Sequence, residues 1–179
     1  ESLPKIQAVQ TGRPVAWHMI GHLQSRKAAI VTQHFDMLQS LDSLRLAQRL
    51  ERMLADQDRI LPVLLELNVS GEESKYGWPA WTNEQRASLA SDLVEIMALP
   101  HLRVRGLMTM PPLYDDPELP RPFFARLRQL SEHFSAEYGA EHFQELSMGT
   151  SADYITAVQE GATLVRVGTA IVGPRPRKG

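Results

Sequence analysis

Short apolar runs alternate along this chain with longer segments of helical periodicity, and that alternation is the strongest constraint on its fold. The strand-like runs are Val15–Gly21, Met37–Leu41, Leu61–Val69, Leu102–Met110, Gln144–Met148 and Thr163–Gly168, each closing near Gly, Ser, Asn or Pro. Between them, Leu44, Leu46, Ala47, Leu50 and Leu54 recur at helical spacing behind Ser43, a candidate N-cap. Thr82 or Asn83 opens a second helix with Leu89, Leu93, Ile96 and Met97 inward. Phe123, Phe124, Leu127, Leu130 and Phe134 mark a third. Ala152–Glu160 is a shorter one closed by Gly161, and Ser25–His34 is the weakest. Strands alternating with helices predict βα units and a parallel sheet, and near-continuous apolar strands predict that both faces are covered. Pro111–Pro122 reads as one long loop and Gly173–Gly179 as a frayed tail.

Six strands fit either an open doubly wound sheet or part of a (β/α)₈ barrel. A whole barrel usually needs ~200 residues or more, and this chain has 179. The chain opens with Glu1 rather than Met, and Leu3–Val9 reads as the tail of a helix. The expectation is therefore one domain over residues 1–179, N-terminally incomplete and about two strands short. Nineteen Lys and Arg against 21 Asp and Glu give a net charge of −2, which offers no basic footprint for nucleic acid or a membrane surface. With no cysteine, disulfides, thiolate metal sites and cysteine nucleophiles are excluded. No secretory leader is visible and no apolar run approaches a membrane span, so a cytoplasmic setting is expected.

In either architecture ligands bind at the carboxyl ends of the strands. Two such ends carry information. Ser147-Met148-Gly149-Thr150-Ser151-Ala152-Asp153 runs from a strand into a helix start, where small residues and free N–H groups suit an anion. The plainer alternative makes Ser151 an N-cap and Asp153 a first-turn acid. In Val165-Arg166-Val167-Gly168-Thr169, period-two alternation puts Leu164, Arg166 and Gly168 on one face. An arginine inside an apolar strand needs a partner, and a structural salt bridge to Glu66 would serve. The Gly168–Thr169 amides and the Thr169 hydroxyl would equally suit phosphate. Taken together, the two ends suggest a phosphate-bearing ligand with a polar ring. His18 and His22 straddle a strand end at a spacing that does not converge on a metal, so His18 is expected to be a hydrogen-bonded strand residue and no metal site is assigned. Lys75 is expected to pair with Glu72 or Glu73 in its loop, with a place on the ligand face as the alternative. One of Met108 and Met110 could pack against a ligand ring.

In order, the segments Trp17-His18-Met19-Ile20-Gly21-His22-Leu23-Gln24 with Lys27, Ser40-Leu41-Asp42, Leu67-Asn68-Val69-Ser70-Gly71-Glu72-Glu73-Ser74-Lys75, Gly106-Leu107-Met108, Leu146-Ser147-Met148-Gly149 with Ser151 and Asp153, and Val165-Arg166-Val167-Gly168-Thr169 with Gly173 resemble the pyridoxal-phosphate homeostasis proteins. These are single-domain relatives of the alanine-racemase barrel. The resemblance covers essentially the whole chain. It implies an α/β fold, a TIM-type (β/α) barrel of the alanine-racemase N-terminal-domain kind that lacks its first two strands here, holding pyridoxal 5′-phosphate (PLP) at its mouth.

Carried over by resemblance, Ser151, Gly168 and Thr169 match phosphate-binding positions and Arg166 the residue facing the pyridine nitrogen, while Met108 and Ser147 match positions beside the cofactor. The family resemblance implies a non-catalytic role in vitamin B6 and amino-acid homeostasis, PLP as partner, PLP-dependent apo-enzymes as recipients, and a monomer when complete. The family's Schiff-base lysine lies on a strand this chain does not contain; Lys5, Lys27, Lys75 and Lys178 all lie outside apolar strands, so none is assigned that role. Arg26 stands where asparagine is common and Thr150 where methionine is common, changes expected to touch the surface and the packing beside the phosphate site respectively. A guanidinium only donates, so a pyridine nitrogen facing Arg166 stays unprotonated and the ring is a weaker electron sink. Two alternatives remain at this stage: a PLP-dependent amino-acid racemase-like enzyme, and a barrel binding another phosphorylated metabolite.

Overall fold

The computed structural model describes residues 2–9 and 14–174. Among the described residues seven α-helices and seven strands follow in order: α1 (Ser2–Ala8), β1 (His18–Met19), α2 (Ala28–His34), β2 (Met37–Leu41), α3 (Leu44–Ala55), β3 (Leu61–Asn68), β4 (Trp78–Pro79), α4 (Asn83–Met97), β5 (Leu102–Met108), α5 (Arg121–Tyr138), β6 (Glu145–Thr150), α6 (Tyr154–Gln159), β7 (Leu164–Arg166) and α7 (Thr169–Val172). All strand pairings are parallel. The path runs β1-β2-β3-β5-β6-β7, with β4 attached to β3 at the side.

The apolar periodicity is explained by the helix packing. Leu46, Ala47, Leu50 and Leu54 of α3, Leu89, Leu93 and Ile96 of α4, and Phe124, Leu127, Leu130 and Phe134 of α5 all pack in one core against Leu38, Leu65, Leu67, Leu107 and Leu146 of the strands. That core covers the outer face of the sheet. The opposite, inner face carries a smaller apolar floor of Met37, Leu64 and Met108, with Leu164 against it.

The sheet is curled, and one hydrogen bond proves it. Ser147 of β6 donates to Gln39 of β2 at 2.6 Å, although β3 and β5 lie between those strands. Three strand spacings laid flat would separate them by about 14 Å. The architecture is thus an arc of a (β/α) barrel, as expected, rather than an open doubly wound sheet.

Several boundaries differ from the sequence reading. The run Val15–Gly21 forms only the two-residue strand β1, because Trp17 spends its N–H on Asp36 Oδ2 at 2.7 Å instead of a ladder. Gln144–Met148 shifts to Glu145–Thr150, and Thr163–Gly168 shortens to Leu164–Arg166. Thr163 is used by its hydroxyl, which accepts from the Leu146 N–H. The expectation that the strands are covered on both faces fails at β7, where Val165 is 39% exposed. The β4 pairing escaped the sequence reading; Trp78 is held there by its indole N–H donating to Asp92 at 2.8 Å. The Pro111–Pro122 segment is irregular only to Pro120, since α5 starts at Arg121 with Pro122 in its first turn, where a missing N–H costs nothing. In the expected tail, residues 175–179 lie outside the described residues; the expected opening helix, Leu3–Val9, is Ser2–Ala8.

Helix ends also distinguish two candidate caps. Ser43 occupies the N-cap of α3, but its hydroxyl donates to Asp42 at 3.0 Å and caps nothing. Thr82 forms a full capping box with Gln85 at α4. Thr82→Ala is expected to cost about 1 kcal/mol in urea denaturation. A loss under a few tenths would show that the box contributes little.

Candidate functional site

Above the apolar floor, the inner face of the arc becomes polar. β7 places Arg166 there because the residue alternates with exposed Val165. Its Nη1 donates to Ser147 Oγ at 2.7 Å and its Nη2 to the Thr109 carbonyl at 2.8 Å. The Thr109 hydroxyl in turn donates to the Leu67 carbonyl at 2.8 Å, tying the ends of β5 and β3. Ser147 is fully buried and its hydroxyl donates to Gln39 Oε1, while Gln39 Nε2 lies 2.8 Å from His18 Nδ1. His18 is therefore the hydrogen-bonded strand residue expected.

The salt bridge between Arg166 and Glu66 does not form: among the described residues Arg166 is held by a hydroxyl and a carbonyl. Glu66 is nonetheless nearby. It is 3% exposed, with Oε2 unpartnered, and burial foremost, with help from the Asp42 charge, pushes its carboxyl up to about 7, against the pull of Arg166 and His22. Burial pushes the Arg166 guanidinium below its ordinary value, while Glu66 and Asp153 oppose that shift.

The two glycine-bearing strand ends meet. Ser151 Oγ accepts from the Gly168 N–H at 3.0 Å and from the Ala170 N–H at 3.2 Å. This overturns the reading of Ser151 as an N-cap. Asp153 takes the N-cap position of α6, but its carboxylate turns back to accept from the Thr150 N–H at 2.6 Å and the Thr150 hydroxyl at 3.0 Å. Asp153 is thus a clamp on the β6–α6 turn rather than a first-turn acid. The turn needs Gly149, which sits at φ +90° with its α-carbon so close to α6 that a Cβ would lie 2.5 Å from Ala157 Cβ. Gly168 differs: nothing lies within 4 Å of where its Cβ would be.

Arg166, Gly149, Thr150 and Asp153 line a cavity of about 220 Å³ with Lys75, Met110 and the start of the Pro111–Leu113 loop. Lys75 therefore faces this cavity, and it makes no ion pair with Glu72 or Glu73 among the described residues. The two methionines separate: Met108 is fully buried in the floor, and Met110 borders the cavity. Thr169 is exposed as the first residue of α7, beside Gly168. Thr150 lines the cavity, and Arg26 is exposed, its side chain donating to Gln24.

Sequence reasoning missed Gln39 and met Glu66 only as a salt-bridge partner. Both are polar residues within buried strands, with relative exposures of 4% and 3%, and that was the available signal. What no linear pattern revealed was that the curl of the sheet brings β2 and β6 together.

A curled parallel sheet whose inner face turns polar above an apolar floor, with two turns joined at its carboxyl end, defines a barrel of the alanine-racemase class; residues 6–176 match the family described as alanine racemase, N-terminal domain. The chain is 39% identical over 176 residues, covering 98% of its length and 73% of the relative, to the pyridoxal phosphate homeostasis protein of Pasteurella multocida. The structure of PipY of Synechococcus elongatus without PLP superposes with a TM-score of 0.80 at 34% identity, covering 89% of this chain and 71% of that one. The form of PipY with PLP bound superposes at 0.77 with the same identity and coverage. The chain belongs to the pyridoxal phosphate homeostasis protein family.

Proposed function

We propose that this chain is a single PLP-binding domain that serves cofactor homeostasis without catalysing a reaction. The observation that carries the reading is the meeting of the two turns at the carboxyl ends of β6 and β7, where Ser151 Oγ gathers the Gly168 and Ala170 amides just beyond Arg166. The residues fit the group: a phosphate would take over the Gly168 and Ala170 amides that now donate to Ser151 Oγ, with open space where a Gly168 Cβ would be, and would add the Ser151 and Thr169 hydroxyls. Ser151, Gly168 and Thr169 would hold that phosphate. Arg166 would meet the pyridine nitrogen, Ser147 would hold Arg166, and Met108 would support the site from beneath. Bound PLP supplies an aldehyde and a pyridine ring; a donor-only guanidinium at the ring nitrogen keeps the ring a poor electron sink, which disfavours transaminase-type chemistry and leaves binding unimpaired.

The same reading takes PLP-dependent apo-enzymes as recipients, a monomer as the working form and the cytoplasm as the setting. No helix among the described residues is long and apolar enough to cross a membrane.

Equilibrium dialysis against PLP tests the assignment. Arg166→Met and Ser151→Ala are each expected to weaken binding by about tenfold, equivalent to ~1.4 kcal/mol. A plain sugar phosphate should compete poorly. Absence of binding by the unmodified chain, or variants that bind as well as it does, would overturn the proposal.

A further inference from the structure

The hydrogen bonds on the inner face form a chain with only one consistent polarity. Arg166 can only donate, so Ser147 Oγ accepts from it at 2.7 Å. The hydroxyl proton of Ser147 must then go elsewhere, and Gln39 Oε1 stands 2.6 Å away. That fixes the amide: Gln39 presents Nε2, a donor, to His18 Nδ1 at 2.8 Å. Nδ1 must therefore carry a lone pair, leaving the imidazole proton on Nε2. Reversing the amide would strand the Ser147 proton without an acceptor at a fully buried site. Each link sits on a different strand, so the chain runs from β7 through β6 and β2 to β1, joining the two ends of the sheet path.

We propose that His18 and Gln39 are positioning residues for Arg166: a hydrogen-bond relay of fixed polarity, anchored by a His18 ring with an unprotonated Nδ1, holds the guanidinium against the cavity. The proposal rests on the reading of Arg166 as a ligand contact. Neither relay residue lines the cavity, so they act through Ser147 and Arg166 alone.

Two measurements decide it. Nitrogen NMR of imidazole-labelled protein without ligand should show His18 Nδ1 unprotonated. In Gln39→Glu the carboxylate still accepts from Ser147 but demands a donor from His18, so Nδ1 should become protonated. Equilibrium dialysis should show PLP binding weakened at least fivefold in Gln39→Leu. Should that variant not fold, His18→Leu, on the half-buried end strand, should show the same loss. A protonated Nδ1 in the unmodified protein, no change of Nδ1 in Gln39→Glu, or folded relay variants binding within twofold of the unmodified protein would each overturn the relay. If the unmodified chain binds no PLP, the functional reading fails instead, and the NMR result on the free protein still decides the polarity of the chain.

Discussion

Replacing Gly106 with alanine should prevent stable folding, although the new group is a single methyl. Gly106 of β5 lies opposite Glu145 of β6, and a Cβ built on it would stand 1.8 Å from the Glu145 carbonyl oxygen and 2.6 Å from its carbonyl carbon. Both atoms are backbone in a paired strand, so no side-chain rotation relieves the clash. The β5–β6 ladder would have to open, and the neighbouring Met108–Ser147 and Leu107–Leu146 pairs would be lost with it. The cost should exceed about 3 kcal/mol, beyond ordinary overpacking. Urea denaturation measures it, and a loss below about 1 kcal/mol would show that β6 can shift at low cost. Gly168→Ala is the control: with nothing within 4 Å of its Cβ, stability should stay within about 0.5 kcal/mol.

The second large effect is a gain, and it depends on pH. The Glu66 carboxyl stands at about 7 in the folded protein against an ordinary value of 4.5. Between those values the folded chain holds a proton that the unfolded chain has released, so stability falls as pH rises through the window. Above about 7 the full penalty of a buried carboxylate stands; below about 4.5 it is absent. Glu66→Gln imitates the protonated form. It should be near neutral at about pH 4.5 and stabilise the protein by roughly 3–3.5 kcal/mol at about pH 8, from about 1.4 kcal/mol per unit of pKa over the rise from 4.5 to about 7. Equal effects of the substitution at the two pH values in urea denaturation would show that Glu66 does not titrate in this range. The direction is opposite to that of an ion-paired acid, because burial outweighs the field of Arg166.

How legible the site was depended on what kind of neighbour each residue has. Arg166 stood out because a cation in a short apolar strand needs an explanation, and its inward direction followed from alternation alone. Its partners did not follow. Glu66 is the acid a salt-bridge argument selects, yet the guanidinium chose Ser147 and the Thr109 carbonyl, and no spacing encodes that choice. Ser151 illustrates the same limit locally. Its place before a helix satisfies every N-cap rule, but the Gly168 and Ala170 amides, 17 and 19 residues further on, claimed its hydroxyl. Thr82, one of the two starts that the sequence offered for α4, is the N-cap, and its partner Gln85 is three residues away, so the whole interaction lies inside one turn.

The order of the elements, the apolar faces of α3, α4 and α5, and the segments that carry the family resemblance are properties of the sequence itself, since they depend on periodicity and on residues adjacent in the chain. Which polar groups meet on the inner face was decided only by the curl of the sheet. Curvature sums small twists over many strands, brings Gln39 to Ser147 across 108 positions, and leaves no trace at any single one of them.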